Sequence, residues 1–94
     1  MQPRQNVNKF TDIPNVGKAT EADFLLLGLK HPIDLIKCDP YQMYYELCDI
    51  KAQRHDPCVF DVFISAVKYM QGEPAQKWWF YTEERKKYLD QLKQ

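Results

Sequence analysis

Phe10-Thr-Asp-Ile-Pro-Asn-Val-Gly-Lys-Ala-Thr20 is the stretch of the chain that decides the fold. Phe10 and Ile13 are three residues apart, so they lie on one face of a helical turn. Pro14 cannot continue that helix, because it has no backbone N–H and clashes with the preceding turn. Gly17 tolerates left-handed conformations freely, and nothing after it interrupts a new helix as far as Phe24. The stretch therefore predicts a helix end, a tight turn and a second helix start in close succession.

The start of the second helix is a candidate anion site. The first N–H groups of a helix have no intrahelical partner, and they lie at the positive end of the helix dipole. A turn that presents such groups to solvent suits a bound anion, phosphate above all. A purely structural turn that contacts another protein is the alternative interpretation.

The pattern Phe10-x-x-Ile13-Pro14-Asn15-Val16-Gly17 resembles the helix-hairpin-helix signature, apolar-x-x-apolar-Pro-Gly-apolar-Gly. In that family the amides of the turn hold phosphate oxygens of DNA without reading the base sequence. The resemblance implies DNA contacts by the backbone of Asn15, Val16 and Gly17, with Lys18 as the charged neighbour. It also permits a monovalent cation on the carbonyls of the turn. Asn15 departs from the usual glycine, and its side chain is expected to crowd an approaching phosphate.

A wider set of motifs resembles the small bacterial pathogenicity-locus family of helix-hairpin-helix proteins, over residues 10–87. These motifs are Pro14-Asn-Val-Gly-Lys-Ala-Thr20, Asp39-Pro-Tyr41, Arg54-His-Asp-Pro-Cys58, Gly72-Glu-Pro74 and Trp78-Trp79 with Tyr81-Thr82. The resemblance implies a fold more than a biochemical activity.

Composition indicates one globular domain over residues 1–94. The chain is 45% hydrophobic and 14% aromatic, which is not the composition of a disordered segment. No apolar run approaches the ~20 residues of a membrane span, and no secretory leader is recognisable. The three cysteines form no C-x-x-C pair, so we expect reduced thiols. These features predict a cytoplasmic protein without a membrane partner, and residues 1–5 are expected to fray.

The charge balance limits how strongly nucleic acid can bind. There are 13 Lys+Arg and 13 Asp+Glu, whereas dedicated nucleic-acid binders usually carry a net basic footprint. A small basic region remains near the hairpin, because residues 1–20 contain Arg4, Lys9 and Lys18 against Asp12 alone. Few phosphate contacts predict weak, salt-sensitive binding of duplex DNA without sequence preference.

Prolines, caps and apolar runs predict further helices and no strand. They predict helices over residues 6–12, 18–28, 32–37, 40–51, 57–71 and from 83 onward. The helix over residues 57–71 is apolar nearly all round and is expected at the centre of the fold. The predicted fold class is all-α: a compact helix-hairpin-helix (SAM-domain-like) single domain of five or six helices. Helices 40–51 and 57–71 form a second hairpin without glycine in its turn, where Lys51 and Arg54 are candidate DNA-binding helpers.

The aromatic segment that opens residues 78–94 has three interpretations. Trp78, Trp79 and Tyr81 can cover the core, stack on unpaired bases, or bind a partner protein. We favour the cover, since each ring can bury about 150–250 Å². The partner-binding interpretation supports an alternative function, a protein–protein interaction module of a bacterial operon product that does not bind DNA. A third hypothesis is a regulator that holds a small ligand at the tyrosine-rich helix 40–51.

Catalytic and metal chemistry are not predicted. Cys48, His55 and Cys58 contain only one close pair, whereas zinc sites usually show closely paired ligands, so no metal or cofactor is expected. Base-excision glycosylases with this hairpin carry a nucleophilic lysine two positions after the second glycine. That position is Ala19 here, which cannot form a Schiff base, and the chain is too short for their second domain. The resemblance to those enzymes therefore does not extend to activity, and we predict a protein that is not an enzyme.

Overall fold

The computed structural model describes residues 2–92, which form four α-helices and three short 3-10 helices and contain no strand. The α-helices are α1 (Lys18–Leu26), α2 (Pro40–Lys51), α3 (Cys58–Met70) and α4 (Thr82–Leu92). The 3-10 helices span Phe10–Asp12, Pro32–Lys37 and Trp78–Tyr81. The all-α prediction is confirmed. Four α-helices and three 3-10 helices stand where five or six helices were expected; one 3-10 helix precedes α1 and the other two lie between α-helices.

Helix α3 lies at the centre of the core, as its composition predicted. It packs against α2, against the 3-10 helix Pro32–Lys37 and against the 3-10 helix Trp78–Tyr81. Full burial of one large apolar side chain contributes about 1.5–3 kcal/mol, and α3 buries several. Its buried apolar residues are Phe60, Phe63, Ile64, Ala66, Val67 and Met70.

The polar stripe of α3 is covered by other parts of the chain. Asp61 is completely buried and pairs with Arg85 of α4, at 3.0 Å between Oδ1 and Nε. Ser65 is also buried, and the Nζ of Lys68 lies 3.1 Å from Glu84 Oε1. The C-terminal segment therefore docks on α3 through polar pairs.

Local caps set the helix starts. The carboxylate of Asp39 accepts from the N–H of Tyr41 at 2.9 Å, which begins α2 at the predicted Pro40. Asp34 Oδ2 accepts from the N–H groups of Lys30 and His31 at the start of the Pro32–Lys37 turn. These two backbone hydrogen bonds hold the pKa of Asp34 below its ordinary value.

The last helix begins one residue earlier than predicted. The Thr82 hydroxyl donates to Asp61 Oδ2 at 2.8 Å instead of capping the helix. The turn Trp78–Tyr81 runs directly into α4, so the helix begins at Thr82 and not at Glu83. Residues 93 and 94, which we assigned to the same helix, lie outside the described residues.

The N-terminal segment also differs from expectation. Only Phe10–Asp12 of the predicted helix 6–12 is helical, as a single 3-10 turn. The N–H of Arg4 donates to the carbonyl of Met70 at 2.8 Å, and the Arg4 guanidinium lies 4.0 Å from the centre of the Tyr69 ring. The chain before the hairpin is therefore held along the end of α3 and is not free to coil into a helix. Arg4, which lies within the segment 1–5 that we expected to fray, makes both of these contacts, and Met1 lies outside the described residues.

Replacement of Gly72 by alanine tests this packing. Gly72 has φ 108°, and an added Cβ would meet the carbonyl oxygen of Gln2. Gly28 has φ 88° but open space at the same position, so Gly28→Ala is the matched control. We expect Gly28→Ala to cost about 1–2 kcal/mol for the left-handed backbone alone, and Gly72→Ala to cost more, because the N-terminal segment must also move. Urea unfolding followed by circular dichroism measures both, and equal losses would contradict the packing of this segment.

Candidate nucleic-acid interface

The hairpin turn is built on two buried apolar residues. Ile13 and Val16 are 1% and 7% exposed, so they hold the turn against the core. The N–H of Val16 donates to the carbonyl of Ile13 at 3.1 Å. Asn15 between them has φ 71°, the left-handed conformation that the sequence predicted at this point. Gly17 follows in an extended conformation, and α1 begins at Lys18.

The side chain of Asn15 turns inward. Its Nδ2 donates to Ser65 Oγ at 3.0 Å and to the carbonyl oxygen of Gln76 at 2.7 Å. The expected crowding of an approaching anion is therefore wrong, because the amide is occupied by α3 and by the loop before Trp78. Asparagine at this position combines tolerance of positive φ with an anchor that glycine does not provide.

The three backbone donors predicted in the turn are not equivalent. The N–H of Val16 is used inside the turn, so that contact must be corrected: it is not a free donor. Within residues 2–92, the N–H groups of Asn15 and Gly17 have no hydrogen-bond partner. No side chain caps the start of α1, and a Cβ built on Gly17 meets nothing within 4 Å. The turn thus presents bare donors at a helix start that a ligand can approach closely.

Lysines surround this turn. Lys18, at the first position of α1, and Lys9 are exposed, and neither forms an ion pair with another residue of the described chain. Lys77 was not predicted. It lines a depression of about 430 Å³ together with Pro14, Asn15, Ala75 and Gln76. No pattern in the sequence signals that a residue this far along the chain reaches the hairpin, because only the tertiary fold brings them together.

The predicted helpers Lys51 and Arg54 do not extend this surface. The Nζ of Lys51 lies 2.8 Å from Asp23 Oδ1 on α1, which neutralises its charge. Arg54 lines a different depression of about 510 Å³, together with Tyr44, Tyr45, Cys48, Asp49, Ala52 and Gln53. This second depression coincides with the tyrosine-rich helix where a small ligand was considered.

The aromatic segment divides into a buried part and an exposed part. Tyr81 is 4% exposed and belongs to the core, so its assignment as a partner-binding residue is corrected. Trp78 is half-buried, whereas Trp79 and Phe80 are 57% and 62% exposed. The Nζ of Lys77 lies 5.7 Å from the centre of the Trp79 ring. Tyr81 therefore covers the core, whereas Trp79 and Phe80 are exposed enough to contact a binding partner.

The described residues contain neither a cluster of metal ligands nor a membrane-spanning helix. Within residues 2–92, no three His, Cys, Asp or Glu side chains lie close enough to hold a metal ion. Burial, followed by the neighbouring Asp56 carboxylate, raises the pKa of the Cys58 thiol. In the same residues no helix is both long and apolar enough to cross a bilayer.

Comparison with known proteins places the chain in a family. It is 38% identical over 79 residues to the "Mitomycin resistance protein McrB" of Streptomyces lavendulae, covering 84% of this chain and 75% of that protein. No solved structure matches it significantly. The family described as "Pathogenicity locus" matches residues 3–87, which include the hairpin turn, the central helix and most of α4. The chain therefore belongs to the Pathogenicity locus family.

Proposed function

We propose that this protein binds the phosphate backbone of DNA weakly and without sequence preference, through the bare N–H groups at the start of α1, assisted by Lys18. The observation that carries the proposal is the uncapped helix start at Gly17, which has no side chain and open space in front of it. Unpaired N–H groups and the helix dipole both favour a phosphate there. The inward side chain of Asn15 supports the proposal, because it leaves the approach clear. The proposed function is binding without catalysis, in the bacterial cytoplasm.

The charges around the turn suggest how weak this binding is. Lys9, Lys18 and Lys77 are exposed, while the chain as a whole carries no net charge. Three phosphate contacts give a slope of log K against log salt concentration of about −2.7. Affinity is then expected to fall about 40-fold between 50 and 200 mM salt. A protein–protein interaction module, the alternative from another class, relies on apolar contacts that salt changes little.

Substitution at Gly17 tests the proposal. Aspartate is a favoured N-cap, so Gly17→Asp is expected to keep or slightly raise stability while its carboxylate accepts from the N–H of Ala19 or Thr20 and repels phosphate. We expect Gly17→Asp to abolish binding of a short duplex at low salt, and Gly17→Ala to retain most of it. Fluorescence anisotropy of a labelled 12-base-pair duplex measures affinity, and thermal unfolding verifies the fold.

An NMR titration of the unmodified protein locates the contact. Amide shifts concentrated on residues 15–18, together with the salt dependence above, are the expected result. Equal affinity of Gly17→Asp and Gly17→Ala, or binding that does not respond to salt, would contradict the proposal. Shifts confined to residues 44–54 would instead favour a ligand at the second depression.

A further inference from the structure

We propose that the exposed ring of Trp79, together with the turn before α1, forms a binding surface for single-stranded DNA. In this arrangement an unpaired base stacks on Trp79 while a neighbouring phosphate is held at the turn. The inference rests on the proposed function, because it uses the same phosphate site. It goes further by naming an unpaired strand as the preferred substrate.

Each of the two exposed rings meets a more buried neighbouring ring edge-on. Trp79 meets Trp78 edge-on, with 5.5 Å between ring centres and 86° between planes. Phe80 meets the buried Tyr81 in a similar way, at 5.2 Å and 80°. Both rings belong to the 3-10 helix Trp78–Tyr81, which packs on α3. An aromatic ring that is rigid and exposed offers a face to a base without a large loss of side-chain entropy.

Gln76 and Lys77 connect the turn to the Trp79 ring. Asn15 is hydrogen-bonded to the carbonyl of Gln76, three residues before Trp79. Lys77 lines the depression beside Pro14 and Asn15, and its ammonium group lies near the Trp79 ring. Lys77 therefore stands between the phosphate site and the stacking site. A nucleotide carries both a phosphate and a base. Its phosphate can bind the N–H groups of the turn and the Lys77 ammonium group, while its base stacks on the Trp79 ring.

Local charge favours a nucleic acid over an apolar protein segment. Among the nearby acidic residues, Glu73 and Glu84 share Lys68, at 4.0 and 3.1 Å, and Glu83 lies 3.9 Å from Lys86. Lys77 forms no ion pair within residues 2–92, so an apolar partner seated on Trp79 would remove an uncompensated charge from water. Inside a duplex the bases are stacked on one another, so away from the duplex ends only an unpaired base can offer its face to Trp79.

The test compares a labelled 12-nucleotide single strand with the blunt duplex of the same sequence, by anisotropy at low salt. We expect the single strand to bind more tightly. Trp79→Ala is expected to weaken single-strand binding about tenfold and to leave duplex binding unchanged, as removal of one stacking ring does. Trp79→Phe, which keeps a ring, is expected to retain most of the affinity. Tyr45→Ala removes a partly exposed ring beside the second depression and is the matched control, expected to have no effect.

The outcomes separate this inference from the proposed function. If the single strand and the duplex bind with equal affinity and Trp79→Ala does not change single-strand affinity, the single-strand inference is overturned. The proposed binding of the DNA phosphate backbone is then unaffected. No binding of either form at low salt overturns both. Weakening by Trp79→Phe as severe as that by Trp79→Ala also overturns the inference, because a stacking role tolerates either ring. Thermal unfolding of each variant shows whether the fold is intact, as expected for a side chain that is mostly in solvent.

Discussion

Replacing Asp61 with alanine is expected to lower the free energy of unfolding by about 3–5 kcal/mol. The Asp61 carboxylate is completely buried and accepts from Thr82 Oγ1 at 2.8 Å and from Arg85 Nε and Nη2 at 3.0 and 3.3 Å. Removing it leaves the guanidinium of Arg85, whose side chain is 15% exposed, without its partner. An unpaired charge in such a place costs more than the pair itself contributes.

Three further variants separate the lost pair from the lost packing. Arg85→Met is expected to cost nearly as much as Asp61→Ala, because it strands the buried carboxylate. The double variant Asp61→Leu with Arg85→Met should recover much of the loss. Glu84→Gln breaks the half-exposed contact with Lys68 and should cost less than about 1 kcal/mol. Urea unfolding measures all four, and a loss below 1 kcal/mol for Asp61→Ala would contradict the tie between α3 and α4.

Replacing Asn15 with alanine is expected to cost about 2–3 kcal/mol. Two side-chain hydrogen bonds, to Ser65 and to Gln76, are lost at about 1 kcal/mol each. The left-handed backbone at φ 71° adds about 1 kcal/mol for a residue such as alanine. Urea unfolding measures this change in the free energy of unfolding.

Asn15→Gly separates these two contributions. Glycine adopts positive φ without cost and restores the usual form of the hairpin motif, so only the hydrogen bonds are lost. We expect its loss to be about 1 kcal/mol smaller than that of Asn15→Ala. A glycine variant as stable as the unmodified protein would show that the anchor to α3 and to the loop before Trp78 contributes nothing net.

Sequence reasoning located the helices well where a local signal exists. Pro40 after Asp39 set the start of α2, and the predicted range 40–51 is the observed one. The apolar composition of α3 placed it at the centre. Most of the helix predicted over residues 6–12 was wrong. The N–H of Arg4 donates to the carbonyl of Met70 at the end of α3, and this long-range hydrogen bond holds the N-terminal segment in a non-helical conformation.

The candidate site was also predicted only in part, because long-range contacts bring several of its residues together. The turn and its bare amide at Gly17 follow from the motif, whereas the internal hydrogen bond of Val16 and the inward side chain of Asn15 do not. Lys77 and the exposed ring of Trp79 reach this surface through the packing of a loop on α3, which no spacing in the sequence encodes.

By itself the sequence determined the all-α class, the turn before α1 and the central helix, since prolines, glycines, caps and apolar periodicity act on neighbouring residues. Its motifs also identified the family. Only the tertiary structure decided which polar groups pair. Asn15 with Gln76 and Asp61 with Arg85 are 61 and 24 residues apart. A buried polar side chain requires a hydrogen-bond partner, but the packing of the helices determines which residue that partner is. The surface that we assign to DNA consists of a turn that local chemistry builds and of neighbours that packing brings to it.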